Sequence, residues 1–170
     1  MTPGPAAADP GVPGPGVPGP GVPGTGDPGV PGTGDPGVPG TGDPAHVART
    51  YVESFAAGDA DAIASHVSAG FANDHASALG ASSVSRDEYR QRLDGFLASF
   101  PGLTYRVDSV IAAGGQVAVE YRMTATSDGH PIDIPGVMVL TVADGLITRR
   151  TDYWDALTFL RQTHALPPPT

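Results

Sequence analysis

Arg150, Asp152 and Trp154 sit two apart near the end of the chain, in the stretch Leu146–Trp154 (LITRRTDYW). In an extended strand side chains alternate between the two faces with period two. Leu146, Thr148, Arg150, Asp152 and Trp154 are therefore expected on one face, and Ile147, Arg149, Thr151 and Tyr153 on the other. A carboxyl group beside a guanidinium and an indole can serve as the acid–base group of a lined pocket. Apolar surroundings disfavour charge on a carboxyl, whereas a neighbouring arginine favours it. The spacing leaves two readings open: a catalytic carboxylate, or a salt bridge at the sheet edge to Arg150 or Arg149.

Three further groups could take part. Tyr51 falls on the apolar face of a helix, where its hydroxyl needs a partner, either a substrate oxygen or a neighbouring backbone or carboxyl group. Asp74-His75 could pass a proton, since histidine titrates near neutrality. Together with Asn73 it could equally form a loop of local turn hydrogen bonds. As a metal site it has too few neighbours, because His66 belongs to another element. Asp155 stands immediately before a short helix, so capping explains it, with an acid–base role as the alternative. No metal and no cofactor is expected.

These residues need a scaffold. Asp43-Pro44 reads as a helix start, followed by Val47, Tyr51, Val52 and Phe55 at helical spacing and Gly58 as the stop. Asp59 opens a second short helix to about His66, and Phe71–His75 follows as a short extended piece. Ser85 with Glu88 forms a capping box for a helix to about Ser99 that buries Tyr89, Leu93, Phe96 and Leu97. Beyond Pro101-Gly102 the periodicity becomes alternating. Strands are expected over Leu103–Ala113, Gln116–Ser127, Ile132–Ala143 and Leu146–Trp154, joined at Gly114-Gly115, Asp128-Gly129 and Asp144-Gly145. Val117, Val119, Tyr121 and Met123 share one apolar face, and Pro135-Gly136 suggests a bulge or edge irregularity. The sum is an α+β domain: N-terminal helices packed on a curved, mainly antiparallel sheet, with a cone-shaped cavity between them.

The first 44 residues differ in kind. They contain no aromatic or basic residue and repeat VPGPG, VPGTG and DPGVPGTG units, a pattern similar to elastin-like sequences. With little to bury, 1–44 is expected to be a disordered tail and 45–170 the folded domain. The net charge is −9, of which Asp9, Asp27, Asp35 and Asp43 contribute four. The chain has no lysine, so an acidic balance without a basic run argues against a nucleic-acid partner. Without cysteine there is no disulfide, thiolate metal site or cysteine nucleophile. No stretch approaches the length of a membrane span, and MTPGPAAADP lacks the features of a secretory signal, so a cytoplasmic location is expected.

Tyr51–Ile63 (YVESFAAGDADAI), the last strand led by Asp144-Gly145, and Asp152–Gln162 (DYWDALTFLRQ) resemble the nuclear transport factor 2-like superfamily, over about Asp43 to Gln162. That superfamily includes ketosteroid isomerases, limonene epoxide hydrolases and SnoaL-like polyketide cyclases. The resemblance implies the cone-shaped fold, chemistry without a cofactor, a small hydrophobic ligand and pairing into a homodimer through the outer sheet face. Tyr51 falls where the ketosteroid isomerases place an oxyanion donor, and His75, beside Asp74, where they place the general base. Their second donor falls near Gly136-Val137, where nothing is acidic. The epoxide hydrolase aspartate matches Asp152, while its Arg and Asp partners fall near Tyr121 and Met123. The cyclase-like closing string is matched by Asp155, Leu157, Leu160 and Gln162, leaving Asp152 and Asp155 both as acid–base candidates. The expected site thus has Asp152 as base and Tyr51, His75 and Arg150 as polarising groups. Trp154, Tyr121, Met123, Val119 and Asp74 would contact substrate. A non-catalytic ligand-binding or dimerisation module is the alternative.

Overall fold

The structure, a computed structural model, describes residues 42–77 and 79–166. All but the last residues of the repeat tail therefore lie outside the described residues. Helix α1 (Pro44–Ser54) begins as its sequence dictates: the Asp43 carboxylate accepts from the His46 amide and proline fills the first turn. A 3₁₀ turn at Phe55–Ala57 ends at Gly58, whose φ of 65° closes the segment. Helix α2 (Ala60–Ser65) is capped by Asp59. Helix α3 (Arg86–Ser99) is capped by Ser85, which accepts from the Glu88 amide. The return half of that capping box is shifted by one residue, because the Glu88 carboxylate takes the Val84 amide.

Strands β1 (Val67–His75), β2 (Thr104–Ala113), β3 (Gln116–Ser127), β4 (His130–Ala143) and β5 (Leu146–Trp154) form one sheet in the order β1-β5-β4-β3-β2. β1 lies parallel to β5, and the other pairs are antiparallel. Asp128-Gly129 and Asp144-Gly145 both place two consecutive residues at positive φ, the requirement of a two-residue type I′ hairpin turn. α1 packs across β2, β3 and β4, and α3 across α2 and β1. Val47, Tyr51, Val52, Phe55 and Ile63 from the helical side meet Val117, Val119, Leu140 and Ile147 from the sheet in one buried cluster. Each such side chain contributes about 1.5–3 kcal/mol of burial. A short helix α4 (Ala156–Gln162), capped by Asp155, closes the described chain; its Gln162 side chain accepts from the Asp133 amide and donates to the Asp133 carbonyl.

Three expectations need correction. The extended piece at Phe71–His75 is the end of a longer strand, β1, seated on the far side of β5. Pro135-Gly136 makes no bulge: Arg122 pairs with Pro135 and Tyr121 with Gly136 in unbroken register. The β4–β5 ladder stops at Gly136, so the missing proline N–H interrupts nothing, and the Pro135 carbonyl accepts from the Asp155 amide. The irregularities lie instead at Asp108 in β2, at Thr148 in β5, and between Val67 and Ala72 in β1. The second breaks the expected alternation. With Thr148 as the extra residue, Ile147 turns into the core, while Arg150, Asp152 and Trp154 keep the inner face beyond it.

Candidate active site

Between α3, the inner sheet face and α4 lies a cavity of about 680 Å³. Phe55, Leu93, Phe96 and Phe100 wall it from the helical side, and Met123, Ile132, Ile134 and Trp154 from the sheet. Phe159 of α4 meets Trp154 edge-on, with ring centres 5.8 Å apart. Leu79, Gly80 and Ala81, in the segment after β1, complete the wall. That segment folds back tightly, since a Cβ at Gly80 would overlap the His75 side chain.

The polar groups gather where β5 meets its neighbours. Asp152 and Arg150 are each 3% exposed. The Arg150 Nη2 donates to Asp152 Oδ2, and the Tyr121 hydroxyl donates to Oδ1 at 2.7 Å. The Arg150 Nη1 donates to the Tyr51 hydroxyl at 3.0 Å, which in turn lies 2.7 Å from the Tyr89 hydroxyl. The guanidinium also stands 6.0 Å from the centre of the Phe55 ring. Tyr89, Tyr51, Arg150, Asp152 and Tyr121 thus form one buried chain of hydrogen bonds. Gly136 makes room for its last member, because a Cβ there would overlap the Tyr121 ring and hydroxyl and crowd the Tyr153 carbonyl.

Burial sets the protonation of the groups around this chain. Burial pushes the Tyr121 hydroxyl far above its ordinary value, and the adjacent Asp152 carboxylate adds to the effect, so it remains a donor. Burial does the same for Tyr105 and Tyr89. Burial alone would lower the Arg150 guanidinium, but Tyr51 and Asp152 more than reverse this and hold it charged. His75 is lowered, first by burial and then by repulsion from Arg150, against opposing pulls from Asp152 and Asp74. Its imidazole is therefore neutral at neutral pH and able to accept a proton. His75 Nδ1 lies 4.0 Å from Asp152 Oδ2, beyond hydrogen-bond reach.

The structure brings Asp152, Arg150, His75, Trp154, Tyr121 and Met123 to one cavity. It does not bring the other expected residues there. Tyr51 is wholly buried behind Arg150 and reaches the site only through that guanidinium and the Tyr89 hydroxyl. Val119 is fully buried in the core cluster with the α1 side chains rather than on the cavity wall. Asp74 alternates with Asn73 and His75 and so faces outward, where it accepts from the Ser82 hydroxyl. Asp155 caps α4, accepting from the Thr158 amide and hydroxyl, and does not line the cavity. Sequence reasoning passed over Asn73, Tyr89 and Tyr105 as site residues. Strand alternation puts Asn73 on the same face of β1 as His75, which was a readable signal. Tyr105 lines the cavity, and its hydroxyl has no partner among the described residues. Among those residues no group of three or more histidine or acidic side chains could hold a metal ion, and no helix is long and apolar enough to cross a membrane.

The family model of the SnoaL-like domain matches residues 48–150, from within α1 to Arg150 itself. The chain belongs to the SnoaL-like domain family. No curated protein matches the sequence. Solved structures share the fold of this SnoaL-like domain at low identity. A hypothetical protein of Catenulispora acidiphila with a ketosteroid isomerase-like fold, in complex with trimethylamine, is 17% identical, with 72% of this chain and 97% of that one covered and a TM-score of 0.65. A protein of Jannaschia described as a SnoaL-like polyketide cyclase is 20% identical, covering 73% and 93%, with a TM-score of 0.62. An LEH-like epoxide hydrolase of M. tuberculosis is 16% identical, covering 72% and 92%, again with a TM-score of 0.62.

Proposed function

We propose that this SnoaL-like domain binds a small hydrophobic, oxygenated molecule and carries out acid–base chemistry on it, with Asp152 as the proton acceptor. One observation carries the reading. Asp152 is the acidic side chain of an otherwise largely apolar cavity, and both its oxygens are held in place by Tyr121 and Arg150. A carboxylate fixed in this way retains free lone pairs for a substrate proton and needs no reorganisation to receive it. The Tyr105 hydroxyl, protonated and without a protein partner among the described residues, supplies a donor for an oxygen on which charge develops. The neutral His75 imidazole is the second group that can carry the proton onward. Abstraction of a proton next to a carbonyl, or activation of a water against a strained ether, uses this set without a cofactor. The reading is supported by the likeness in fold to the Jannaschia protein described as a SnoaL-like polyketide cyclase and to the M. tuberculosis LEH-like epoxide hydrolase.

Native mass spectrometry of the purified full chain is the route to the ligand, as a co-purifying apolar molecule. On the substrate so identified, Asp152→Asn lowers turnover by about 10²-fold or more. Turnover unchanged by that substitution rejects the reading.

The other reading is a non-catalytic binding module that pairs with a second copy of itself. It is favoured by the same two hydrogen bonds, which give Asp152 a structural task of its own, and by the outer sheet face. There Val137, Val139 and Tyr153 are exposed side by side, with Val137 opposite Tyr153 across the β4–β5 ladder. Light scattering on the purified chain gives a dimer under this proposal, and a monomer at micromolar concentration refutes the pairing.

A further inference from the structure

Three buried polar atoms have no partner among the described residues: Arg150 Nε, Asn73 Oδ1 and Ser83 Oγ. They belong to side chains only 3%, 6% and 2% exposed. Leaving such groups unpaired destabilises a fold, so unmet partners in a buried site call for an explanation. Their placement supplies one. Asn73 is directly opposite Arg150 in the parallel β1–β5 register, and Ser83 is directly opposite Asn73 in an isolated antiparallel bridge closed by two backbone hydrogen bonds. Residues opposite one another across a ladder point to the same face. The three orphans therefore form a row across adjacent strands, and two of their side chains, Arg150 and Asn73, line the cavity.

We propose that this row is a hydroxyl-recognising subsite, in which one ligand hydroxyl accepts from Arg150 Nε and donates to Asn73 Oδ1, with Ser83 Oγ next to Asn73 in the row. The inference rests on the reading that the cavity binds a small oxygenated molecule, and adds which oxygen it selects. The chemistry decides between candidate groups. Nε–H is a donor and Oδ1 an acceptor, so the complementary group must both accept and donate, as an alcohol does and a ketone or ether does not. An anion is disfavoured because the Arg150 charge is already balanced by Asp152 within the same buried chain. The subsite is two residues along β5 from Asp152 and two along β1 from His75. The selected hydroxyl thus sits beside the reacting position rather than on it.

The test compares borneol with camphor, an alcohol and its ketone on one compact apolar frame, by calorimetric titration of the full chain. Borneol is expected to bind about tenfold more tightly than camphor, the equivalent of one good hydrogen bond. Asn73→Leu, close to isosteric, is expected to bring the two to within about threefold of each other. Ser83→Ala, which removes an oxygen with no protein partner, folds as the parent does and reduces the preference by less. Equal binding of the two probes by the parent overturns the subsite while leaving the cavity reading intact. Binding of neither overturns both. A preference for borneol that survives Asn73→Leu overturns the subsite, since the alcohol would then be read elsewhere, as by Asp152. Should Asn73→Leu fail to fold, the structure of the parent with borneol decides. The ligand oxygen is expected within hydrogen-bond distance of both Arg150 Nε and Asn73 Oδ1, and an oxygen placed anywhere else refutes the proposal.

Discussion

β5 carries two arginines in succession, each facing an aspartate, on opposite sides of one strand. Arg149 approaches Asp74 at 4.0 Å on the outer face, with the side chains 60% and 49% exposed. Arg150 bonds Asp152 on the inner face, where the same figures are 3% and 4%. The residue types are identical, and the difference is the medium. On the outside, water solvates each charge whether or not its partner is there, so the pair is worth little. On the inside each charge depends on the other and on the tyrosines around them, and the removal of one strands the other in a poor solvent. A strand one residue thick thus separates a dispensable ion pair from one on which the site is built.

The contrast is most directly broken at its inner half. Arg150→Met leaves Asp152 with Tyr121 alone and Tyr51 with Tyr89 alone. The expected loss is about 3–5 kcal/mol in urea unfolding, and a loss below about 1 kcal/mol would show that the buried pair is not what holds this face together. Gly136→Ala attacks the pair indirectly, by pushing the Tyr121 ring off Asp152. Overpacking of this kind destabilises by about 1–3 kcal/mol, and turnover falls with it.

A gentler probe is pH. His75 sits beside the inner pair with its folded value lowered, first by burial and then by the Arg150 charge. Below the ordinary histidine value of about 6.5 the unfolded chain takes up this proton more readily than the folded one. Stability therefore declines as pH falls from about 7.5 to 5.5, and His75→Gln makes that decline shallower. An unchanged slope in the variant would remove His75 from the account. The smallest effect belongs to the outer half: Arg149→Ala shifts stability by no more than about 0.5 kcal/mol, measured in the same unfolding series.

Much of this was legible in the chain. The spacing of Arg150, Asp152 and Trp154, and of Tyr121 and Met123, placed all five inward, because strand parity is a local property. The hairpins followed from Asp128-Gly129 and Asp144-Gly145 for the same reason. What escaped the sequence is what depends on distant neighbours. The parallel seating of β1 on β5, which sets Asn73 against Arg150 and His75 against Asp152, joins segments about 77 residues apart in the numbering and leaves no local trace. Tyr51 and Val119 were read to the correct face of their elements but at the wrong depth, since periodicity gives direction and not distance from a cavity. Asp74 needed only the parity argument already applied to β5, which turns it away from its neighbour His75.

The unmatched residue at Thr148 has a consequence for how this chain can change length. Loss of that one codon would restore plain alternation between Ile147 and Arg149 and leave everything downstream facing as it does now. Loss of a codon between Arg149 and Tyr153 would instead roll part of the strand over and exchange interior groups for exterior ones. Deletions a few nucleotides apart in the gene should therefore divide sharply into the silent and the ruinous.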